Sequence, residues 1–155
     1  MATSLNTSFP VKDQFSNMEQ SRLRTLTAAT TLSAEQHDGQ LILINNTTGF
    51  AITLPVANGT GARFRFYVAA TVSSGNHTIV TASASDVYKG FAHLFGDDTS
   101  ALGGFSTTTG VTITLDGSTR GGFAGDVIEL EDVSSGVWSV RIFGHATGTE
   151  ATPFS

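Results

Sequence analysis

The chain has 155 residues, enough for one domain with tails, and an apolar share of 39% that can build a single core. Charged residues make up only 14% and the net charge is −5 without a basic stripe, which argues against nucleic acid as a partner. No cysteine is present, so disulfides and thiolate metal sites are excluded, and no apolar run has the length of a membrane-spanning helix. Polarity rests instead on Thr, Ser, Asn and Gly, the first a strand former and the others turn formers. Such a weakly charged surface loses little on desolvation and suits close packing against a partner.

Residues 1–23 read as an N-terminal arm. Pro10 and the single aromatics Phe9 and Phe15 follow no sustained period, and SNMEQSRLR has room for one helical turn capped by Ser16 or Asn17. Extended, 23 residues reach roughly 75 Å, enough to cross a neighbouring subunit. Phe9, Val11, Phe15, Met18 and Leu23 are the expected anchors of that arm, because a solvated tail has little use for them. The opening MATSLNTSFPVKDQ has neither the basic start nor the apolar stretch of a signal peptide.

A β-domain is expected over residues 24–146. RTLTAATTL alternates weakly, and SAEQHDGQ reads as a polar or single helical turn. QLILIN and FAITLP are two short strands, expected to pair as a hairpin across NNTTG. Asn58-Gly59 marks the next turn. ARFRFYVAA then alternates strictly, with Phe64, Phe66 and Val68 on one face and Arg63, Arg65 and Tyr67 on the other. HTIVTA places Ile79 and Val80 on opposite faces. The stretch 86–110 reads as an irregular excursion with one or two short strands. VTITLD, DVIELEDV and GVWSVRIFG are further strands, and the last sets Trp138, Val140 and Ile142 against Val137, Ser139, Arg141 and Phe143. Residues 147–155 read as a polar C-terminal tail. The sum is an all-β fold, a β-sandwich or jelly-roll-like barrel of about eight to ten short strands with an extended N-terminal arm. No fixed-period repeat points to a solenoid.

The residues offer little chemistry, and neither a catalytic set, a cofactor nor a metal is expected. No Ser sits in a G-x-S-x-G elbow, His77 follows a turn and reads as solvated, and no two of the four His lie within five positions of each other. Glu129 and Glu131 share one face of a strand and Asp126 and Asp132 the other, which is read as a charged sheet edge. Asp97-Asp98 offers oxygens for Ca²⁺ but lacks D-x-D-x-D-G spacing, so an ordinary turn is expected. Trp138 reads as a core or interface anchor rather than a sugar-stacking platform shared with Tyr67.

LTAATTLSAEQHDGQLILINNTTGFAITLP, followed by RFRFYVAA, SGNHTIVTAS and GDVIELEDVSSGVWSV, resembles segments of small structural proteins of tailed phages, over residues 26–84 and 125–144. The family it resembles is that of capsid decoration, or cement, proteins. The resemblance implies a non-enzymatic virion protein on the capsid exterior, made in the bacterial host cytoplasm, that binds the major capsid protein and itself, as a homotrimer, with no membrane partner. In that reading Phe91, Phe95 and Phe105 are candidates for the subunit interface. The rival expectation is a receptor- or glycan-binding module of a tail fibre, with Tyr88, Phe91, His93 and Asp97-Asp98 in the recognition loop.

Overall fold

The computed structural model describes residues 22–97 and 102–155. Two packed sheets form a β-sandwich, as the alternation of the strands requires. The strands are β1 (Leu23–Leu26), β2 (Thr30–Thr31), β3 (Leu41–Ile44), β4 (Ala51–Thr53), β5 (Arg63–Val68), β6 (His77–Val80), β7 (Val87–Phe95), β8 (Leu102–Gly110), β9 (Thr112–Leu115), β10 (Val127–Ser134) and β11 (Val137–His145). One helical turn, α1 (Ala34–His37), lies between β2 and β3. No helix among the described residues is long and apolar enough to cross a membrane.

The first half of the chain winds. β1, β3 and β5 run parallel in a seven-stranded sheet, while β2, β4 and β6 run parallel in a four-stranded one. The chain therefore changes sheet at every strand and completes three turns of a coil. Leu23, Leu41 and Arg65 stack in one wall, and Thr30, Ile52 and Ile79 in the other. The expected hairpin between QLILIN and FAITLP is thus corrected: β3 and β4 lie in opposite sheets, and NNTTG carries the chain across the sandwich. The coil has no fixed period because successive rungs differ in length, which hides the winding from any search for a regular repeat.

The second half closes the sandwich. β7 and β8 form a long antiparallel ribbon, where short irregular strands were expected, with a bulge between Tyr88 and Gly90. β9 returns to the four-stranded sheet, antiparallel to β6. β10 then inserts between β5 and β11, antiparallel to both, and β11 runs parallel to β7. β10 is thus central, and the reading of its carboxylates as a charged sheet edge is corrected. The C-terminal segment is no loose tail. Val111 and Thr112 N–H donate to the Ser155 carbonyl at 2.7 and 2.9 Å, Thr114 N–H donates to Pro153, and Phe154 is buried beside Ile113.

The core follows the alternation. Phe64, Phe66, Val68, Ile128, Leu130, Trp138, Val140 and Ile142 face Ile52, Leu54, Ile79, Ile113 and Leu115 across the sandwich. Trp138 is fully buried, its ring 5.6 Å from that of Phe64, so it is a core residue. Tyr88, also fully buried, links the sheets: its hydroxyl donates to the Ile79 carbonyl at 3.0 Å, and burial pushes its phenol far above the usual range. Tyr88→Phe should cost about 1 kcal/mol, the net worth of one such bond. Urea unfolding checks this, and an unchanged midpoint would discount the link.

His77 corrects a further expectation. It is fully buried, with Phe50 N–H donating to Nδ1 at 3.2 Å and Nε2–H donating to the Asn46 carbonyl at 2.9 Å. The ring therefore pins both ends of the β3–β4 crossing. Burial lowers its pKa below 6.5, outweighing the bond to the Asn46 carbonyl, which favours the protonated ring. The unfolded chain takes up a proton near pH 6.5 that the folded one resists, so His77 supports the fold fully above that pH. The support is lost as pH falls below it, by at most about 1.4 kcal/mol per unit. The His77→Gln variant should show a flatter stability profile between pH 7.5 and 5.5 than the wild type. Parallel profiles would show that His77 does not drive the acid loss.

Candidate protein-docking face

The outer face of the seven-stranded sheet is built by the residues that alternate with the core. Reading across the strands, one row runs Thr25, Leu43, Tyr67, Val127, Phe143, His93. The next runs Leu23, Leu41, Arg65, Glu129, Arg141, Phe91. Of the seven large apolar side chains left exposed among the described residues, five lie on this face: Leu23, Tyr67, Phe91, Phe95 and Phe143. Scattered exposed apolar residues are ordinary, but a contiguous group marks a contact surface. The aromatics order one another: the His93 ring stacks on Phe143 at 6.2 Å and 10°, and Phe91 meets both edge-on.

Beside the aromatics lies a charged depression of about 600 Å³. Four arginines, Arg22, Arg63, Arg65 and Arg141, line it with only two acids, Glu129 and Glu131. Arg63 pairs with Glu131 at 3.0 Å, while Glu129 lies 3.6 Å from Arg65 and 4.0 Å from Arg141. These exposed pairs add little stability. They leave positive charge in excess, on a chain whose net charge is −5. Half of its eight basic residues gather here.

The predicted site residues divide. Leu23 lies in β1 on the docking face, not in an arm. Phe9, Val11, Phe15 and Met18 lie outside the described residues. Phe91 and Phe95 share the outer face, but Phe105 is corrected: it faces inward from β8 and packs against the core. The three rings therefore do not form one surface. Of the expected recognition set, Tyr88 is in the core and so is unavailable to a ligand, whereas Phe91 and His93 belong to the docking face. Asp97 accepts from Gly148 N–H at 3.3 Å, and Asp98 lies outside the described residues. Tyr67 and Trp138 point to opposite faces of the sheet.

Two buried carboxylates hold the loops around this sheet. Asp132 accepts from the backbone of Asn58, Gly59 and Thr60 and from the Thr60 hydroxyl. Asp126 accepts from the backbone of Gly122, Phe123 and His145, and from His145 Nδ1–H at 2.7 Å. The sequence signal was parity: Asp126 and Asp132 share the face of Ile128 and Leu130, where a carboxylate must find partners. His145 borders a second depression, of about 330 Å³, with Phe95, Phe123, Thr71 and Asp97. No hydroxyl is hydrogen-bonded to the His145 ring among the described residues. No group of three or more potential metal ligands occurs among the described residues.

The architecture and site define an all-β sandwich with a broad aromatic and arginine-lined face. No protein-family model, curated protein or solved structure matches the chain.

Proposed function

We propose that the chain is a virion structural protein that decorates a tailed-phage capsid, docking the outer face of its seven-stranded sheet on the major capsid protein as part of a homotrimer. The observation that carries this reading is the exposed ring cluster of Phe143, His93 and Phe91, with Tyr67 two strands away on the same face, beside the arginine depression. Aromatic and arginine side chains are the groups that dominate protein interfaces. The phage-like segments over residues 26–84 and 125–144 direct the reading to the capsid. Many copies, each with an interface of at least about 1,000 Å², would reinforce a shell under internal pressure.

The test is the pair Phe91→Ser and Phe143→Ser in one variant. Both side chains are exposed, so the variant should melt close to wild type while losing at least tenfold in binding to undecorated capsids. Full occupancy by a folded variant overturns the docking assignment. A second reading, a receptor- or glycan-binding module, draws on the depression where Phe95, Phe123 and His145 meet Thr71 and Asp97. Copy number separates the two: hundreds per particle support decoration, and a handful with selective glycan binding support the tail.

A further inference from the structure

The Asn58-Gly59 turn carries a chemistry that the docking face does not use. It is the only Asn-Gly pair in the chain. In such a pair no side chain hinders the glycine nitrogen, which can attack the asparagine amide carbon. Solvent alone balances the reaction. Hydroxide removes the Gly59 amide proton, the nitrogen bonds to Asn58 Cγ, and Nδ2 leaves as ammonia with a proton from water. Water then opens the succinimide ring at either carbonyl, to aspartate or to isoaspartate. Asn58, Gly59 and Thr60 are all exposed, so solvent reaches the turn. The fold leaves the electrophile loose and holds the nucleophile. Asn58 Nδ2 makes only a long bond, 3.4 Å, to the Val56 carbonyl. Gly59 N–H donates to Asp132 Oδ1 at 2.7 Å, while Asn58 and Thr60 N–H donate to Oδ2 at 3.1 and 2.9 Å. The turn is also stitched to the β10–β11 end, because Gly61 N–H donates to the Asp132 carbonyl and Gly136 N–H to that of Ala57.

We infer that Asn58 is a site of spontaneous deamidation and that Asp132 is the brake on it, holding Gly59 N–H so that the folded protein ages slowly there. Charge decides the sign. Deprotonating Gly59 would set an amidate against a buried carboxylate at hydrogen-bond distance, where water screens like charges weakly. Asp132 cannot serve instead as the base that takes the proton. Burial alone would raise its pKa, but the bonds from Thr60, Gly59 and Asn58 hold the carboxyl below 3.8, far too acidic to deprotonate an amide. Loss of the brake reinforces itself. The product places a second carboxylate at position 58 beside Asp132. Isoaspartate also adds a carbon to the main chain, which shifts Gly59 and Thr60 N–H out of register with their acceptor. The inference is independent of what the outer sheet face binds.

Peptide mapping of the aged full-length chain reads the conversion of Asn58 to aspartate and isoaspartate. Folded wild type should convert at least about tenfold more slowly than the same chain unfolded in urea, the least that a bond to a charged acceptor is worth. Asp132→Ala should recover most of the unfolded rate while still folded. Wild type in enough urea to match the variant's stability should stay slow, which separates the one bond from global unfolding. Hydrogen exchange gives a second readout that needs no variant, because base-catalysed exchange begins with the same loss of the amide proton. Gly59 N–H, although it lies on an exposed turn, should exchange at least about tenfold more slowly than in the unfolded chain. An unprotected Gly59 amide, or equal conversion in the folded and unfolded chains, overturns the inference. So does a folded Asp132→Ala protein that converts as slowly as wild type or more slowly, since the carboxylate is then no brake. Stability-matched wild type that converts as fast as the variant overturns it too, because unfolding and not Gly59 N–H is then the control.

Discussion

The Gly90→Ala variant should fail to reach a stable native state. Gly90 sits in β7 opposite Val140 of β11, at a φ of 156°, and an added Cβ would lie 1.9 Å from the Val140 carbonyl oxygen. That contact is with backbone, in a strand held between β10 and β7, so no side chain can swing aside. Relief requires separating two central strands, or shifting Val140 out of the core. The cost should exceed about 4 kcal/mol, at the far end of single-residue effects. Domains of this kind have only about 5–15 kcal/mol in total. Expression in the insoluble fraction, or a midpoint far below wild type in urea, is the expected result. Gly104→Ala, in the neighbouring strand with nothing within 4 Å of its added Cβ, is the control and should stay within about 0.5 kcal/mol. A soluble Gly90→Ala protein with an unchanged midpoint would show that the β7–β11 pairing tolerates a side chain there.

The second large effect belongs to Asp132→Ala. The carboxylate is 2% exposed and receives four hydrogen bonds from Asn58, Gly59 and Thr60. It holds the Asn58-Gly59 turn, where Gly59 adopts a φ of 74°. Hydrogen bonds to a charged group contribute about 1.5–3 kcal/mol each. The turn itself is exposed, so its freed N–H groups can bind water, and the loss should be about 3 kcal/mol rather than the full sum. Burial alone would raise the Asp132 pKa, but the bonds from Thr60, Gly59 and Asn58 outweigh it and hold the carboxyl below its usual 3.8. Its contribution is therefore fully present above that pH and fades as the medium is acidified through the lower folded value. The difference between wild type and Asp132→Asn should accordingly narrow below about pH 3.8. A constant difference down to pH 2 would rule out the ionised carboxylate as its source.

What could be read from the residues depended on whether one strand carried its own signal. ARFRFYVAA and GVWSVRIFG did: their alternation alone assigns Phe64, Phe66, Trp138, Val140 and Ile142 to the core, where all five are buried. The same alternation puts Arg65, Tyr67 and Arg141 outside, so half of the docking face was visible as a set of outward residues. Their convergence was not visible, because it needs β10 between β5 and β11, an order set by non-local pairing. The winding of β1 to β6 escaped for a related reason. QLILIN and FAITLP are each short and apolar, and a tight connection favours a hairpin unless the chain is known to cross between sheets. LGGFSTTTG lacked an apolar period altogether. It forms β8 because β7 offers it a partner edge, and that context overrides a weak intrinsic preference. His77 looked solvated because it follows a turn, yet the coil folds that turn inward.

The placement of β10 also constrains the order in which a nascent chain can fold. Emerging from the ribosome, the first three rungs can begin to stack as soon as they clear the tunnel, since each finds its neighbour in chain already made. The seven-stranded sheet cannot close at that stage. Its middle strand follows β1 to β9 in chain order, and until Val127–Ser134 arrives β5 has a bare edge and β7 lacks β11. The two halves must wait, apolar faces uncovered, for one late segment to join them. Translation stalled before residue 127, or truncation there, should therefore yield a chain that sticks to chaperones rather than a smaller folded unit.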